Sequence, residues 1–127
     1  MILVDTAIWI EHLKVGRASL RTLLERGLVL VHPWVIGELA LGHLSARQEV
    51  LGLLTGLPQA TVATTDEVAA LTERHQLYGL GIGYGDAQLL AATALTDDAA
   101  LWTGDKRLHT AASRLGCAVD PAVTERT

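Results

Sequence analysis

The chain has 127 residues, half of them hydrophobic, and a formal net charge of −4 at pH 7. That length suits a single domain over residues 1–127 with a core of its own. Aromatic residues make up 4% and phenylalanine is absent, so the core is expected to be aliphatic. The acidic balance argues against a protein that coats nucleic acid through phosphate contacts alone, since such proteins are usually basic. It leaves open an enzyme whose bound metal supplies positive charge.

Three features bear on where the protein works. The charge-free run Gly27–Gly37 contains histidine and proline and is too short to span a bilayer. An aspartate at position 5 and no basic segment before it argue against a signal peptide. A single cysteine, Cys117, excludes an internal disulfide and fits a reducing compartment. These features predict a cytoplasmic protein with no membrane partner.

The first part of the chain predicts strands alternating with helices. Ile2–Asp5 is a short apolar strand, followed by a helix at Thr6–Leu13. A second helix carries leucines on one face and runs to Arg26. Leu28–Val31 is a continuous apolar run, typical of a strand covered on both faces. Pro33 suits the first turn of the helix that follows.

The alternation continues to the end of the chain and predicts an α/β fold. Strands that alternate with helices favour a three-layer α/β/α sandwich around a central parallel sheet. The elements predicted after Pro33 are a helix at Ala46–Leu54, a weak strand at Ala60–Ala63, a helix opened by the capping box of Thr64 and Glu67 and running to Tyr78, a glycine-rich turn at Gly79–Gly85, a helix at Asp86–Leu95, a strand at Ala100–Thr103, a helix at Asp105–Leu115 and a strand at Cys117–Val119.

Four carboxylates stand where apolar segments end or helices begin: Asp5, Glu38, Asp86 and Asp105. Asp5 ends the first strand, and Asp105 lies two residues past the strand at Ala100–Thr103. Asp86 opens a helix, and Glu38 shares a helical stripe with apolar residues, so it is expected to face inward. Sites in an open parallel sheet form at the carboxyl ends of the strands. We therefore expect the four side chains to converge on one pocket.

Converged carboxylates repel one another and bind protons or a cation in compensation. Oxygen ligands without histidine or cysteine favour Mg²⁺ or Mn²⁺ over zinc. Such ions lower the pKa of a bound water and stabilise charge on a phosphoryl oxygen. The chemistry predicted is hydrolysis of a phosphodiester.

The ordered set of motifs resembles the PIN-domain ribonucleases, and the short undecorated chain is similar to the VapC-type toxins among them. The resemblance rests on Asp5-Thr6 after the apolar start, Glu38, Asp86-Ala87 before an aliphatic helix, and Thr103-Gly104-Asp105 after a strand. It covers essentially the whole chain. It implies a single nuclease domain that cuts RNA, the toxin of a toxin–antitoxin pair, or a PIN nuclease of RNA processing.

The resemblance also implies roles for these residues. Asp5 and Asp86 would bind the metal directly, whereas Glu38 and Asp105 would do so directly or through water; all four would be catalytic. The hydroxyls of Thr6 and Thr103 would form supporting hydrogen bonds. The fold would have strand order 3-2-1-4-5 and form a dimer. A small antitoxin would place its tail in the acidic groove.

Two features depart from the family pattern. The family often has an aromatic residue three positions after the last acid, where this chain has Leu108. The turn at Gly79–Gly85 is unusually rich in glycine. Neither departure removes a candidate metal ligand.

Each acid also has a plainer interpretation. Asp5 fits a turn residue, and Asp86 and Asp105 fit ordinary helix N-caps. Glu38 would need a basic partner if it were buried, and the nearest candidates are His32 and His43. All four plain interpretations would have to hold together.

The other residues of interest are the polar residues next to Asp105, an acidic pair and two tryptophans. Lys106, Arg107 and His109 adjoin Asp105 and are candidate substrate contacts. Asp97-Asp98 falls between a helix and a strand, so a solvated loop is predicted. Trp34 and Trp9 lie on helices near the edge of the site, where packing in the core or a dimer is favoured over base stacking.

Two rival classes share this architecture. A phosphoacceptor receiver domain needs an acidic pair after the first strand and a lysine near the last, and this chain has a single acid, Asp5, and no such lysine. A non-catalytic domain of the same fold would have lost an acid, and none is lost.

Overall fold

The computed structural model describes residues 1–124. Its centre is a parallel sheet in which Ile2 pairs with Val29 on one side and Ala100 on the other. The sheet has the order β2-β1-β3. The strands are β1 (Ile2–Val4), β2 (Val29–Leu30) and β3 (Ala100–Trp102).

Each edge of the sheet is extended by a single parallel bridge. Val31 pairs with Gln59 beyond β2, and Leu101 pairs with Ala118 beyond β3. The order across the sheet is therefore the 3-2-1-4-5 that the resemblance implied, but the two outer members are bridges. The predicted strand Ala60–Ala63 is wrong, because the Thr61 N–H donates to the Thr96 hydroxyl (3.0 Å) and leaves the ladder.

Right-handed crossovers assign the helices to two layers. The connections that contain the first four helices run across the sheet towards Gln59, and those that contain the next three helices run towards Ala118. The two sets of helices therefore cover opposite faces of the sheet. Neighbouring helices pack together within each layer, the first on the third and the sixth on both the fifth and seventh. The helices are α1 (Thr6–Val15), α2 (Ala18–Glu25), α3 (Pro33–Ala40), α4 (Arg47–Gly56), α5 (Thr65–Arg74), α6 (Tyr84–Leu95), α7 (Lys106–Arg114) and α8 (Pro121–Thr124).

Several helix ends differ from the prediction, among them those of α5, α6 and α7. The capping box of Thr64 and Glu67 opens α5 as expected, but α5 ends at Arg74 because Gln76 adopts a positive φ of 53°. Helix α6 begins two residues before Asp86. Helix α7 begins after Asp105, which is its N-cap.

The core is aliphatic, as the composition predicted. Leu3, Leu90 and Leu101 are fully buried, and the buried aromatic residues among positions 1–124 are Trp9 and Trp102. Within the same range, no helix has both the length and the apolar character needed to cross a membrane.

Candidate metal centre

The site lies at the carboxyl edge of the sheet, where β1 and β3 end side by side. The Asp5 N–H donates to the Trp102 carbonyl (2.9 Å), which extends the pairing of the two strands by one residue. This register places the Asp5 carboxylate beside Thr103, whose hydroxyl donates to Asp5 Oδ2 (2.7 Å). Two residues 98 positions apart in the chain are thus in direct contact.

Asp5 also begins α1 and connects the site to α3. Its Oδ1 accepts from the N–H of Thr6, the first residue of the helix (2.7 Å). The Thr6 hydroxyl donates in turn to Glu38 Oε1 (3.0 Å). Glu38 is therefore held beside the end of β1 by the residue that follows Asp5.

Asp105 joins from the other side through Thr103. The Thr103 hydroxyl oxygen accepts from the Asp105 N–H (3.1 Å). Asp105 Oδ1 caps α7 by accepting from the N–H groups of Arg107 (2.8 Å) and Leu108 (3.1 Å). A continuous chain of contacts results; it runs through Glu38, Thr6, Asp5, Thr103 and Asp105. We call these residues and Asp86 the acidic group.

Asp86 joins the acidic group through charge. It lies in the first turn of α6, half-buried, and its Oδ2 accepts from the Gly83 N–H (3.2 Å). Burial raises the pKa of Asp86, and the negative charges of Asp5, Asp105 and Glu38 raise this pKa further, against the opposing effect of the Gly83 bond. The Asp86 carboxylate therefore lies within electrostatic reach of all three other acids.

The plainer interpretations hold in part. Asp5 and Asp105 do cap helices, but Gly83, not Asp86, is the N-cap of α6. Helix capping does not occupy every carboxylate oxygen that could bind a metal. One oxygen of each of three carboxylates has no hydrogen-bond partner within residues 1–124. These oxygens are Glu38 Oε2, Asp86 Oδ1 and Asp105 Oδ2.

Glu38 departs from the prediction that it faces inward. It is exposed, whereas Val35 and Leu39 on the same helix are buried. Glu38 lies at the flank of the apolar stripe and points to the open side of the site. His32 is not its partner: it is fully buried, its Nδ1 accepts from the Trp34 N–H (3.0 Å), and its Nε2 has no hydrogen-bond partner within residues 1–124. An exposed carboxylate needs no basic partner.

The acidic group is not a preformed metal cage. Among residues 1–124, no three side chains of histidine, cysteine, aspartate or glutamate stand in a metal-binding arrangement. The donor chemistry nevertheless fits Mg²⁺ or Mn²⁺, since the carboxylates supply oxygen atoms only and their mutual repulsion favours a shared cation. Metal binding would require side-chain rotations that bring the unpartnered oxygens together.

Basic residues border this group on α7. Lys106 and Arg107 are exposed in the first turn, and His109 is half-buried. The Arg107 side chain lies against Gly81, where a Cβ atom would come within 2.6 Å of Arg107 Nη1. Gly81 has a φ of +78°, a backbone conformation that favours glycine.

Sequence reasoning overlooked Tyr84. The sequence predicts that Tyr84 lies in the glycine-rich turn, whereas it is the first residue of α6 and its ring packs on Trp34, with ring centroids 5.9 Å apart. A tyrosine two residues before a candidate ligand, in a chain with few aromatic residues, was the available signal.

A family model described as the PIN domain matches residues 2–113. The sequence is also 48% identical to Ribonuclease VapC32 from two Mycobacterium tuberculosis strains, CDC 1551 / Oshkosh and ATCC 25618 / H37Rv, over 124 residues that cover 98% of this chain and all of each relative. The chain belongs to the PIN-domain family, in its VapC branch. Within a PIN domain, the departure at Leu108 is a matter of packing, because this side chain is fully buried.

Proposed function

We propose that this PIN domain is a metal-dependent endoribonuclease that hydrolyses RNA phosphodiester bonds and acts as the toxin of a toxin–antitoxin pair. The observation that carries the proposal is the acidic group at the carboxyl edge of the sheet, in which Thr6 and Thr103 connect Glu38, Asp5 and Asp105 by hydrogen bonds and Asp86 is coupled to them by charge. A full-length relative named as a ribonuclease supports it.

In this proposal Asp5 and Asp86 bind Mg²⁺ or Mn²⁺ directly, and Glu38 and Asp105 bind it directly or through water. When bound, the cation lowers the pKa of a water and offsets charge that develops on the phosphoryl oxygens. Thr6 and Thr103 fix the carboxylates, as partners of metal ligands usually do. Where Glu38 binds the metal through water, its Oε2, which the Thr6 bond leaves available, is the proposed acceptor for the proton of the attacking water.

The basic residues of α7 are proposed as phosphate contacts. Lys106 and Arg107 are exposed beside Asp105, and His109 lies one helical turn beyond Asp105. A chain with a net charge of −4 does not attract RNA over long distances, so local cations have to position the phosphates.

The antitoxin is proposed to bind in the groove between α1 and the segment of α3 and α4, a cavity of about 580 Å³. Ile10, Leu13 and Leu39 give the groove an apolar wall, and Glu38 lies at its border with the acidic group. An antitoxin tail in this groove would reach the metal ligands. We further propose a homodimer and a cytoplasmic location, on the apolar composition and the single cysteine.

The test is cleavage of single-stranded RNA by the purified chain. We expect cleavage with Mg²⁺ or Mn²⁺ and none in EDTA, with internal cuts visible as discrete fragments on a gel. RNA that stays intact under every divalent ion would overturn the proposal. Labelling of Asp5 by acetyl phosphate would instead favour a phosphoacceptor domain.

A further inference from the structure

Two of the aromatic residues in this aromatic-poor chain form an exposed pair. The sequence has three tryptophans, two tyrosines and no phenylalanine. Trp9 and Trp102 are buried in the core, whereas Trp34 is 43% exposed and Tyr84 is 50% exposed. The Trp34 and Tyr84 rings pack against each other, tilted by 60°. A large aromatic surface left in solvent at one place calls for an explanation.

The aromatic pair stands on the same two helices as two of the acids. Trp34 lies in the first turn of α3, four residues before Glu38, so both project from one side of that helix. Tyr84 begins α6, two residues before Asp86. Since α3 and α6 cover opposite faces of the sheet, the ring contact spans the carboxyl edge beside the acidic group.

Three contacts hold the pair in place. The Tyr84 hydroxyl accepts from Gln88 Nε2 (3.1 Å), and Gln88 is itself only 5% exposed. The Trp34 backbone N–H is fixed by buried His32. The indole of Trp34 lies over Gly85 of α6, where a Cβ atom would be in van der Waals contact with Trp34 Cε3 at 3.4 Å. The rings are thus oriented before any ligand arrives.

We infer that Trp34 and Tyr84 form a stacking site for an unpaired base of single-stranded RNA, next to the phosphodiester held at the acidic group. The inference rests on the proposed function. Aromatic faces stack on any base, and this contact is the usual means of holding single strands. Arg107, which lies on Gly81 in the turn leading to Tyr84, adds a cation for the adjoining phosphate.

The exposed surface of the pair suits one nucleobase and cannot by itself form an interface with a second copy of the chain. A fully buried aromatic side chain covers about 150–250 Å², and roughly half of each ring is already covered here. The exposed remainder is far below the roughly 800 Å² per partner of a stable protein interface. One base matches the area available.

The test compares binding of two fluorescent oligonucleotides, one of normal RNA and one with abasic residues and the same phosphates. Binding is measured by anisotropy in the Asp5→Asn chain with Mg²⁺ present, so that the RNA survives. We expect the normal strand to bind about tenfold more tightly than the abasic strand, from stacking alone. Trp34→Leu and Tyr84→Leu should each remove most of this preference.

Matched variants separate stacking from a structural effect. Tyr78→Leu changes an exposed tyrosine outside the pair and should leave the preference unchanged. Trp34→Phe and Tyr84→Phe keep a stacking face and should retain it. Tryptophan fluorescence should fall when normal RNA binds, because Trp34 is exposed while Trp9 and Trp102 are buried.

Equal affinity of the parent chain for both strands would overturn the inference, as would undetectable binding of normal RNA. A leucine variant that converts a dimer to a monomer in sedimentation, with the base preference intact, would assign the pair to a copy interface instead. Cleavage by the wild-type chain is measured separately. RNA cleavage without a base preference refutes only this inference, whereas absence of cleavage refutes the proposed function.

Discussion

Aspartates lie near both the carboxyl and the amino ends of the parallel strands, and their surroundings differ. At the carboxyl edge, Asp5 and Asp105 are connected through the hydroxyl of Thr103. At the amino edge, Asp97 and Asp98 are adjacent and exposed in the turn before β3. There the α-amino group of Met1 donates to the Asp98 backbone carbonyl (3.0 Å), and neither side chain has a hydrogen-bond partner within residues 1–124.

The comparison indicates that carboxylates form a site where neighbouring groups hold them together. Parallel strands bring distant residues to one edge, and the threonine hydroxyls then hold the acids against their mutual repulsion. The acids at the amino edge keep their solvent shell and need no support. The predicted solvated loop at Asp97-Asp98 agrees with their exposure.

The largest expected effect comes from exchanging one acid at each edge for asparagine. Asp5→Asn should reduce RNA cleavage to background, because asparagine keeps the shape and the cap but loses the charge that a metal ligand needs. Asp97→Asn, with the same change of charge at the amino edge, should cleave at the wild-type rate. Initial cleavage rates at saturating Mn²⁺ test both. Equal rates for the two variants would contradict the assignment of the metal centre to the carboxyl edge.

A smaller effect is expected from the support itself. Thr103→Val removes the hydroxyl that donates to Asp5 and accepts from Asp105, while it keeps the side-chain shape. Loss of such a partner typically weakens metal binding about 10- to 100-fold. Calorimetric titration with Mn²⁺ measures this. Thr103→Ser keeps the hydroxyl and should bind close to the wild type; if Thr103→Val binds Mn²⁺ equally well, the hydroxyl is not a support.

The smallest effect concerns stability in the absence of metal. The pKa of Asp86 is raised in the folded protein, so the folded state holds this proton more tightly than the unfolded state. Stability contributed by the protonated carboxyl is present at acid pH and is lost as pH rises through the raised pKa. Asp86→Asn should therefore be more stable than the wild type at pH 7 in EDTA, with a difference that shrinks in acid.

Thermal melting of both chains from pH 3 to pH 7 measures this difference. Added Mn²⁺ should reverse the order, since it stabilises only a protein that binds it. Asp97→Asn serves as the control and should follow the wild type throughout. A melting difference between Asp86→Asn and the wild type that is constant over the whole pH range would contradict the charge coupling.

Much of the fold could be predicted because local signals agreed with it. The capping box before α5 and the apolar runs of β1 and β2 define their elements by composition alone. Prediction failed where a distant partner decided the outcome. The segment Ala60–Ala63 is apolar enough for a strand, but the Thr61 N–H donates to the hydroxyl of Thr96, 35 residues away.

The sequence predicts which residue types form the candidate site and at which end of the strands they lie. The sequence identified the four acids, and the parallel sheet explains why Asp5 and Asp105 meet. It did not predict the exposure of Glu38, because an angular difference of one position on a helix decides whether a side chain lies in or beside the apolar stripe. Tyr84 was missed because helix α6 begins within a segment whose glycines indicated only a turn.

The contact of Arg107 with Gly81 ties two parts of the chain to one another in any redesign. A larger residue at position 81 collides with the exposed, flexible arginine side chain, which can move aside, and also strains a backbone at φ +78°. Shortening position 107 would relieve the collision but not the strain. In a mutant library, the residues of α7 can therefore be varied by themselves, whereas variation of the turn has to keep glycine at position 81.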